Sequence, residues 1–569
     1  MIWPKRNTLI HAGLIIVAIL WVFWPALHGD WISDDLLYVS ENTLMQDPAR
    51  LWKAWFQPGS FVEYYPIQQT LQWFQWRAWG NDTFGYHLTN VLLHALNALL
   101  LWRLFAKLGL RLAWLGAFVF AVHPMNVESV AWIAEFKNTL SLSPFLAALC
   151  FWIEYDEHRR ERDYWGALGF FLIAMLCKIS MAPFPALILL YAWWRRGRIR
   201  WQDWQAILPF FVISITLGTL TILSGQWYAN HIHQSTDVPV IGGVFSHLAL
   251  VATSISFYLF NFLCPLNLML SYPRWSVNPA SVDQLLLAVA WFGLLGWFWI
   301  RRKTWGKHAL LGIGFYLLFI LPFSGVIAVT FMNSTWVMSH LAYLPMIGLI
   351  GLTLALLEQI GGRLPQVLRR PGVALVAGVI VIFAWESHTY AAAFAGPEAL
   401  AIYTIQRNPT APEPRYDLGF AMLHSGRTSE ALEQFEAALQ LKPDYLNARI
   451  NLAADLILLG RYDEAIQQCR EALRLKPDSL DACNNWGQAL AQDGQMEEAA
   501  RQFQAALQIN PDDLKSHYDL GMANESLGRI PEAIEQYQFV LKVDPNYEEA
   551  GSRLTRLTLL GKSGPHQDP

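Results

Sequence analysis

Two adjacent aspartates, Asp34 and Asp35, stand in the string HGDWISDDLLYV, a few residues after an apolar stretch at about 8–27. With Asp30 they gather negative charge at the start of a long segment, 28–85. Adjacent carboxylates repel, so one of the pair is expected to keep its proton above the usual range unless a cation or metal relieves it. A carboxylate held in this way can take the proton from a hydroxyl. The plainer reading carries equal weight: Asp34 or Asp35 caps a helix running into Leu36–Val39.

Further ionisable residues lie in FAVHPMNVESVAWIAEFKNTLSLSPF, where His123-Pro124 stops a helix. Glu128 and Glu135 are seven residues apart, close to one face if 127–137 is helical. With Lys137 they form either a satisfied cluster or a grip on a substrate. Lys178, in LCKISMAPFP, can bind a phosphate or snorkel toward the interface, which is the commoner fate of a lone lysine at a helix end. In GYHLTNVLLHALNALLLW, Tyr86, Asn90, His94 and Asn97 form a polar stripe, with His87 beside it. Such stripes more often bond helix to helix than hold a metal. His231-Ile-His233 is a weak metal motif, and Cys150, Cys177, Cys264, Cys469 and Cys483 show no metal spacing.

The elements that must position these groups follow from composition. The 569 residues are 54% hydrophobic and 15% charged, with a mean hydropathy of +0.26, which points to a multi-span membrane protein and excludes disorder and disulfide scaffolds. Apolar stretches fall at about 8–27, 86–106, 112–123, 138–153, 164–177, 181–194, 205–223, 283–300, 308–329, 341–357 and 372–390. The first is read as a retained anchor rather than a cleaved signal. Of the 26 Lys and Arg up to residue 409, 19 cluster in six segments at every second loop. The positive-inside rule puts those loops in the cytoplasm, giving eleven crossings, an internal N-terminus and an external stretch from 391 onward. An even number of crossings must separate Arg195–Arg200 from Arg301–Lys303, so 246–263 is expected to lie at the outer face or re-enter from it; the alternative is a further undetected span. The outer side then holds few cations, among them Lys137, Lys178 and Arg274. An amphipathic stretch with Leu51, Trp52, Trp55 and Phe56 on one face is expected to lie in the interface.

The chain from 410 onward is a different body, with 15 Lys and Arg against 25 Asp and Glu. Pro409, Pro443, Pro477, Pro511 and Pro545 recur every 34 residues, as do Gly426, Gly460, Gly494 and Gly528. Ala431, Ala465, Ala499 and Ala533 keep the same register, each followed four residues later by Phe435, Cys469, Phe503 or Tyr537. This is the tetratricopeptide period: helix, tight turn, helix, proline. The expected organisation is a membrane domain over 1–390, a linker over 391–411 and a repeat domain over 412–560 with four repeats and a capping helix. A disordered tail over 561–569 ends it. The fold class is all-α, a helical membrane bundle followed by an α-solenoid. Solenoids of this kind bind an extended peptide or partner in their concave groove. No feature suggests nucleic acid.

The order of motifs is Asp-Asp in the first outer loop, GYHLTNVLLHALN, FAVHPMNVESVAWIAEFKN, LCKISMAPFP, CPLNLMLSY and then the repeats. This resembles bacterial relatives of the transmembrane and tetratricopeptide-repeat O-mannosyltransferases, within the C-type glycosyltransferase superfamily. The resemblance implies a polyprenyl-phosphate-linked sugar as donor at the extracytoplasmic face of the inner membrane. It implies a Ser or Thr hydroxyl on a protein as acceptor. By position the base is Asp34, with Asp35 as its partner or as a ligand to donor or metal, and Glu128 as support. Lys137, Lys178, Arg274 and His340 are the cations available for the departing phosphate, and His87, Asn90, His94 and His123 line the pocket. Relatives read Ala-Glu-Arg-Lys-Asn where this chain has Phe136 before Lys137, and Asp-Arg-Tyr where it has Ser339-His340-Leu341. Two expected arginines are thus replaced. The competing class is a non-catalytic, membrane-anchored repeat scaffold for an envelope complex.

Overall fold

The computed structural model describes residues 6–562, except 33, 58, 60–62, 232–238 and 279–280. The expected tail lies, from 563 onward, outside the described residues. Helices are the only regular elements among those described, and no strand occurs. The chain divides into two bodies, Met1–Asn408 and Pro409–Pro569.

In the first body, nine described helices are long and apolar enough to cross a membrane. They include Thr8–Ala26, Phe84–Lys107, Ile133–His158, Trp201–Tyr228 and Gln366–Ala393. Their outward residues are greasy: Ile215 and Val373 are 66% and 71% exposed, a pattern that suits a lipid-facing surface. Three expected crossings are shorter helices, Ala113–Val122, Glu161–Cys177 and Phe184–Arg196. At about 1.5 Å per residue, the 13 residues of the last reach roughly 20 Å, short of a hydrocarbon core of about 30 Å.

Cation-rich loops share one end of this bundle. Lys107 pairs with Glu154, Arg195 with Glu157 and Arg196 with both Asp156 and Asp203, while Trp194 reaches His308. The opposite end gathers the first loop, 124–135, 178–181 and 321–345. The helix Val244–Leu263 has spanning length, yet both its ends meet that second end of the bundle. His247 bonds the Gly325 carbonyl at 2.6 Å, and His123 bonds the Phe262 carbonyl at 3.0 Å.

Much of the stretch 391–411, read from sequence as a linker, is helical. Its Gly396-Pro397 looks like a breaker, but proline is well placed at a first helical position, and Pro397–Arg407 forms a helix with Leu400, Ala401 and Thr404 buried. Tyr403 stacks on Tyr390 at 5.1 Å and Asn408 donates to the Ser271 carbonyl, so this helix is part of the membrane body.

The second body is four helix pairs, from Pro412–His424 with Thr428–Leu441 to Leu514–Ser526 with Ile530–Val543, followed by Glu548–Lys562. Each intervening turn has its glycine at positive φ, for example 73° at Gly426. Close approach of the paired helices explains the register. A methyl on Gly419, Gly487 or Gly521 would strike the ring of Phe435, Phe503 or Tyr537 within 2.8 Å. In the second repeat the ring is replaced by Cys469, and the facing position holds Ala453.

Candidate functional site

Asp35 does not cap a helix with its side chain. The backbone at Leu36–Ser40 turns as a short π-helical segment, and the Asp35 carboxyl points backward and across. Oδ2 accepts from the Ile32 N–H at 3.0 Å and Oδ1 from the Ala134 N–H at 2.6 Å. The residue is fully buried, and burial pushes its pKa well up. Asp34 is turned the other way: it is exposed, with no hydrogen bond among the described residues. Its carboxyl still sits against protein, which raises its pKa above the usual aspartate value. The nearby Lys137 and His340 oppose that rise, and Glu135 and Glu63 add to it.

Glu128 and Glu135 do not share a continuous helix. The helix Val127–Ala131 ends at Trp132, which is extended at φ −88°, ψ 123°, and a short 3-10 turn, Ile133–Glu135, follows. The Trp132 carbonyl, freed from the helix, accepts from Asn90 Nδ2 at 3.1 Å. The break brings the two acids to either side of one imidazole. His340 Nδ1 lies 3.1 Å from Glu128 Oε2 and its Nε2 lies 3.9 Å from Glu135 Oε1. Glu128 also accepts from the His340 N–H at 3.0 Å and from the Tyr390 hydroxyl at 2.8 Å.

Lys137 pairs with Glu63 at 2.9 Å, lies 3.9 Å from Glu135 and stands 5.1 Å from the centre of the Tyr38 ring. Lys178 does not snorkel. It is 7% exposed, donates to Asn138 Oδ1 and lies 3.7 Å from Glu135. Burial lowers the pKa of its ammonium, and Glu135 counters that. A small pocket bounded by Asn138, Lys178, Ser180, His340 and Tyr343 adjoins this pair. Asp34, Lys137, Lys178, His340 and Glu135 therefore form one electrostatic unit: an exposed carboxylate at the edge of a largely buried cluster of both charge signs.

The remaining expected residues divide. Asn90 accepts from Thr139, and Asn97 bonds the Thr139 carbonyl and the Tyr343 hydroxyl. His94 reaches Tyr343 at 2.8 Å and the Ala121 carbonyl at 3.1 Å, and His123 accepts from the Met125 N–H. These groups brace helices under the cluster rather than facing it. His87 is buried against Gly29, where a Cβ would lie 3.2 Å from its Nε2 and 2.4 Å from the Phe394 carbonyl. Arg274 stacks at 4.2 Å on Trp336 and donates to the Asn333 carbonyl; no described contact of the cluster is to Arg274. No three His, Cys, Asp or Glu are grouped for a metal among the described residues. The His231-Ile-His233 motif lies outside them, since His233 and the side chain of His231 are not described.

Sequence reasoning missed Glu63, Tyr38, Asn138 and Tyr390 as members of the site. Only Glu63 carried a signal, as a lone acid in the aromatic run FVEYYP.

The model for dolichyl-phosphate-mannose-protein mannosyltransferases matches residues 66–222, which hold Glu128, Glu135, Lys137 and Lys178. Tetratricopeptide-repeat models match 422–492, 487–528 and 514–547. The protein O-mannosyl-transferase Tmtc3 of Drosophila melanogaster is 22% identical over 79% of this chain and 57% of its own length. A protein O-mannosyl-transferase of Caenorhabditis elegans is 27% identical over 27% of this chain and 24% of its own. The chain thus matches less than two thirds of the length of each of these relatives. Among solved structures, MamA from Desulfovibrio magneticus RS-1 aligns at 25% identity over 26% of this chain and 87% of that one, with a TM-score of 0.25. By its membrane body and its repeats together, the chain is similar to the transmembrane and tetratricopeptide-repeat O-mannosyltransferases.

Proposed function

We propose that the membrane body transfers a sugar from a polyprenyl-phosphate donor to a hydroxyl, a Ser or Thr of an acceptor protein, at the extracytoplasmic face of the inner membrane. The observation that carries this is the contrast within the aspartate pair. Asp35 is locked by two backbone N–H groups, and its neighbour Asp34 is left exposed near Lys137 and His340, with the buried Lys178 joined to the same cluster through Glu135. In the transfer the acceptor oxygen forms a bond to the anomeric carbon as the bond from that carbon to the phosphate oxygen breaks. The electron pair leaves with the polyprenyl phosphate, and the hydroxyl proton passes to Asp34. Lys178, Lys137 and His340 oppose the charge that develops on the phosphate. Asp35 holds the loop in place, and Glu128 orients His340. The positive-inside bias of the opposite end supports an external cluster, a cytoplasmic N-terminus and external repeats that recruit acceptor or partner.

The test is transfer from a labelled polyprenyl-phosphate sugar in membranes carrying Asp34→Asn. A loss of at least roughly a hundredfold at unchanged expression is expected of a general base. Full activity removes Asp34 from the role. A reporter fused after residue 395 checks the side on which the repeats lie. Phe136 and His340, in place of two arginines, favour a second reading, a non-catalytic scaffold for an envelope complex. Under it Asp34→Asn and wild type are equally inert, and substitutions in the repeat groove abolish function.

A further inference from the structure

A second charged cavity lies at the opposite end of the membrane body. It measures about 720 Å³ and opens between the helix Phe84–Lys107 and the hairpin formed by Phe136–His158 and Glu161–Cys177. Its volume falls in the range of ligand sites, about 300–1,000 Å³. Leu100, Ala147 and Phe151 wall its inner part, and Arg103, Arg160 and Arg162 stand at its rim. Two carboxylates also line it. Glu154 pairs with Lys107 and lies 3.3 Å from His158, and Asp163, which opens its helix, has Oδ1 3.5 Å from Arg162 and a buried Oδ2 with no hydrogen-bond partner among the described residues. No carboxylate among the described residues lies within pairing distance of Arg103 or Arg160.

Guanidinium groups are weakly hydrated forks that match phosphate oxygens. A slot with such forks at its mouth and hydrocarbon walls behind them is complementary to an amphiphile carrying a phosphate ester. Position selects its source, because the cavity sits at the charged ends of spanning-length helices, at the depth of phospholipid headgroups. Basic pockets between spanning helices recognise such headgroups. We propose that this cavity binds one anionic phospholipid, its phosphate on Arg103 and Arg160 and its chains along Leu100, Ala147 and Phe151. The hairpin concerned carries Asn138 and Lys178 at its far ends, so the lipid braces the helices that hold the cluster.

The experiment is native mass spectrometry of the full chain purified in detergent, with phosphatidylglycerol, phosphatidylcholine or inorganic phosphate added. One retained phosphatidylglycerol per chain is expected, in preference to phosphatidylcholine. Arg103→Gln with Arg160→Gln lowers retention roughly tenfold or more, and Arg301→Gln, at the same end but outside the cavity, leaves it unchanged. Thermal unfolding follows the same pattern, with phosphatidylglycerol raising the midpoint of wild type and of Arg301→Gln but not of the double Gln variant. Where the double Gln variant does not fold, Arg103→Lys with Arg160→Lys keeps the charge, removes the fork and gives intermediate retention. Equal retention of the two lipids, or retention unaffected by the rim substitutions, overturns the proposal. Equal protection by inorganic phosphate alone overturns the lipid as occupant and assigns the cavity to a soluble phosphate.

Discussion

The Asp35 carboxylate accepts the Ala134 N–H at 2.6 Å, joining two segments 99 residues apart in the chain. Ala134 lies in the turn that follows the break at Trp132, so one buried acid fixes both the first loop and the bend that separates Glu128 from Glu135. Asp34, the next residue back, then has no freedom to choose where it faces. Asp35→Asn leaves one of the two N–H donors opposite an amide NH2 group. Leaving a buried donor unsatisfied costs about 1–3 kcal/mol. A lowered thermal midpoint in detergent is expected for Asp35→Asn and an unchanged one for Asp34→Asn. Equal midpoints for both would show that the Ala134 contact does not hold the loop.

Burial raises the pKa of Asp34, and Lys137 opposes the rise. A base works only when deprotonated, so transfer is lost as pH falls through the folded-state pKa of Asp34, which lies above the ordinary 3.8. Lys137→Met removes the opposing cation and moves this acidic limb to higher pH. Transfer rates measured from pH 4 to 8 check the direction. A limb that stays in place in Lys137→Met would detach Asp34 from the lysine.

His340 serves two acids at once, Glu128 on Nδ1 and Glu135 on Nε2. His340→Phe leaves Glu128, which is fully buried, with only the His340 N–H and the Tyr390 hydroxyl. A loss of about 1–3 kcal/mol is expected in unfolding of the membrane body. Glu128→Gln in the His340→Phe background should recover part of it, because a neutral amide tolerates the burial. Additive losses in this double-substitution cycle would show that the pair is not coupled.

The repeat body was legible because its physics is periodic and local. The proline, glycine and small-against-aromatic pairs are each set by one 34-residue unit, and even the exchange of an aromatic for Cys469 is matched in the same repeat by Ala453. The candidate site was legible only in part. Asp34 and Lys178 were singled out by type and place, and the burial of Lys178 was not foreseen, since its partner Asn138 is 40 residues away. The Trp132 break has no glycine or proline to announce it. It exists because Asn90 and Asp35 take the backbone groups that a continuous helix would have used. Over 391–411 the physics is related: Gly396-Pro397 has an apolar face behind it, and there the pair starts a helix.

Asp455 is the one buried residue of its helix, Leu446–Leu458, that contradicts the repeat pattern. Ala421, Ala489 and Ala523 occupy its register in the other repeats. It is fully buried, neither carboxylate oxygen has a hydrogen-bond partner among the described residues, and burial pushes its pKa up to about 6. The folded state therefore holds this proton more tightly than the unfolded chain, where the value is near 3.8. The cost of the charge is fully present above about pH 6 and disappears as pH falls toward 4. Asp455→Ala should stabilise the repeat body by about 1–3 kcal/mol at neutral pH. Most of that gain should be gone at pH 4, where wild type carries the proton. Urea unfolding of residues 409–562 at pH 7.5 and 4 measures both. A destabilised alanine variant at neutral pH would mean that the carboxylate has a partner that only the folded protein in water supplies.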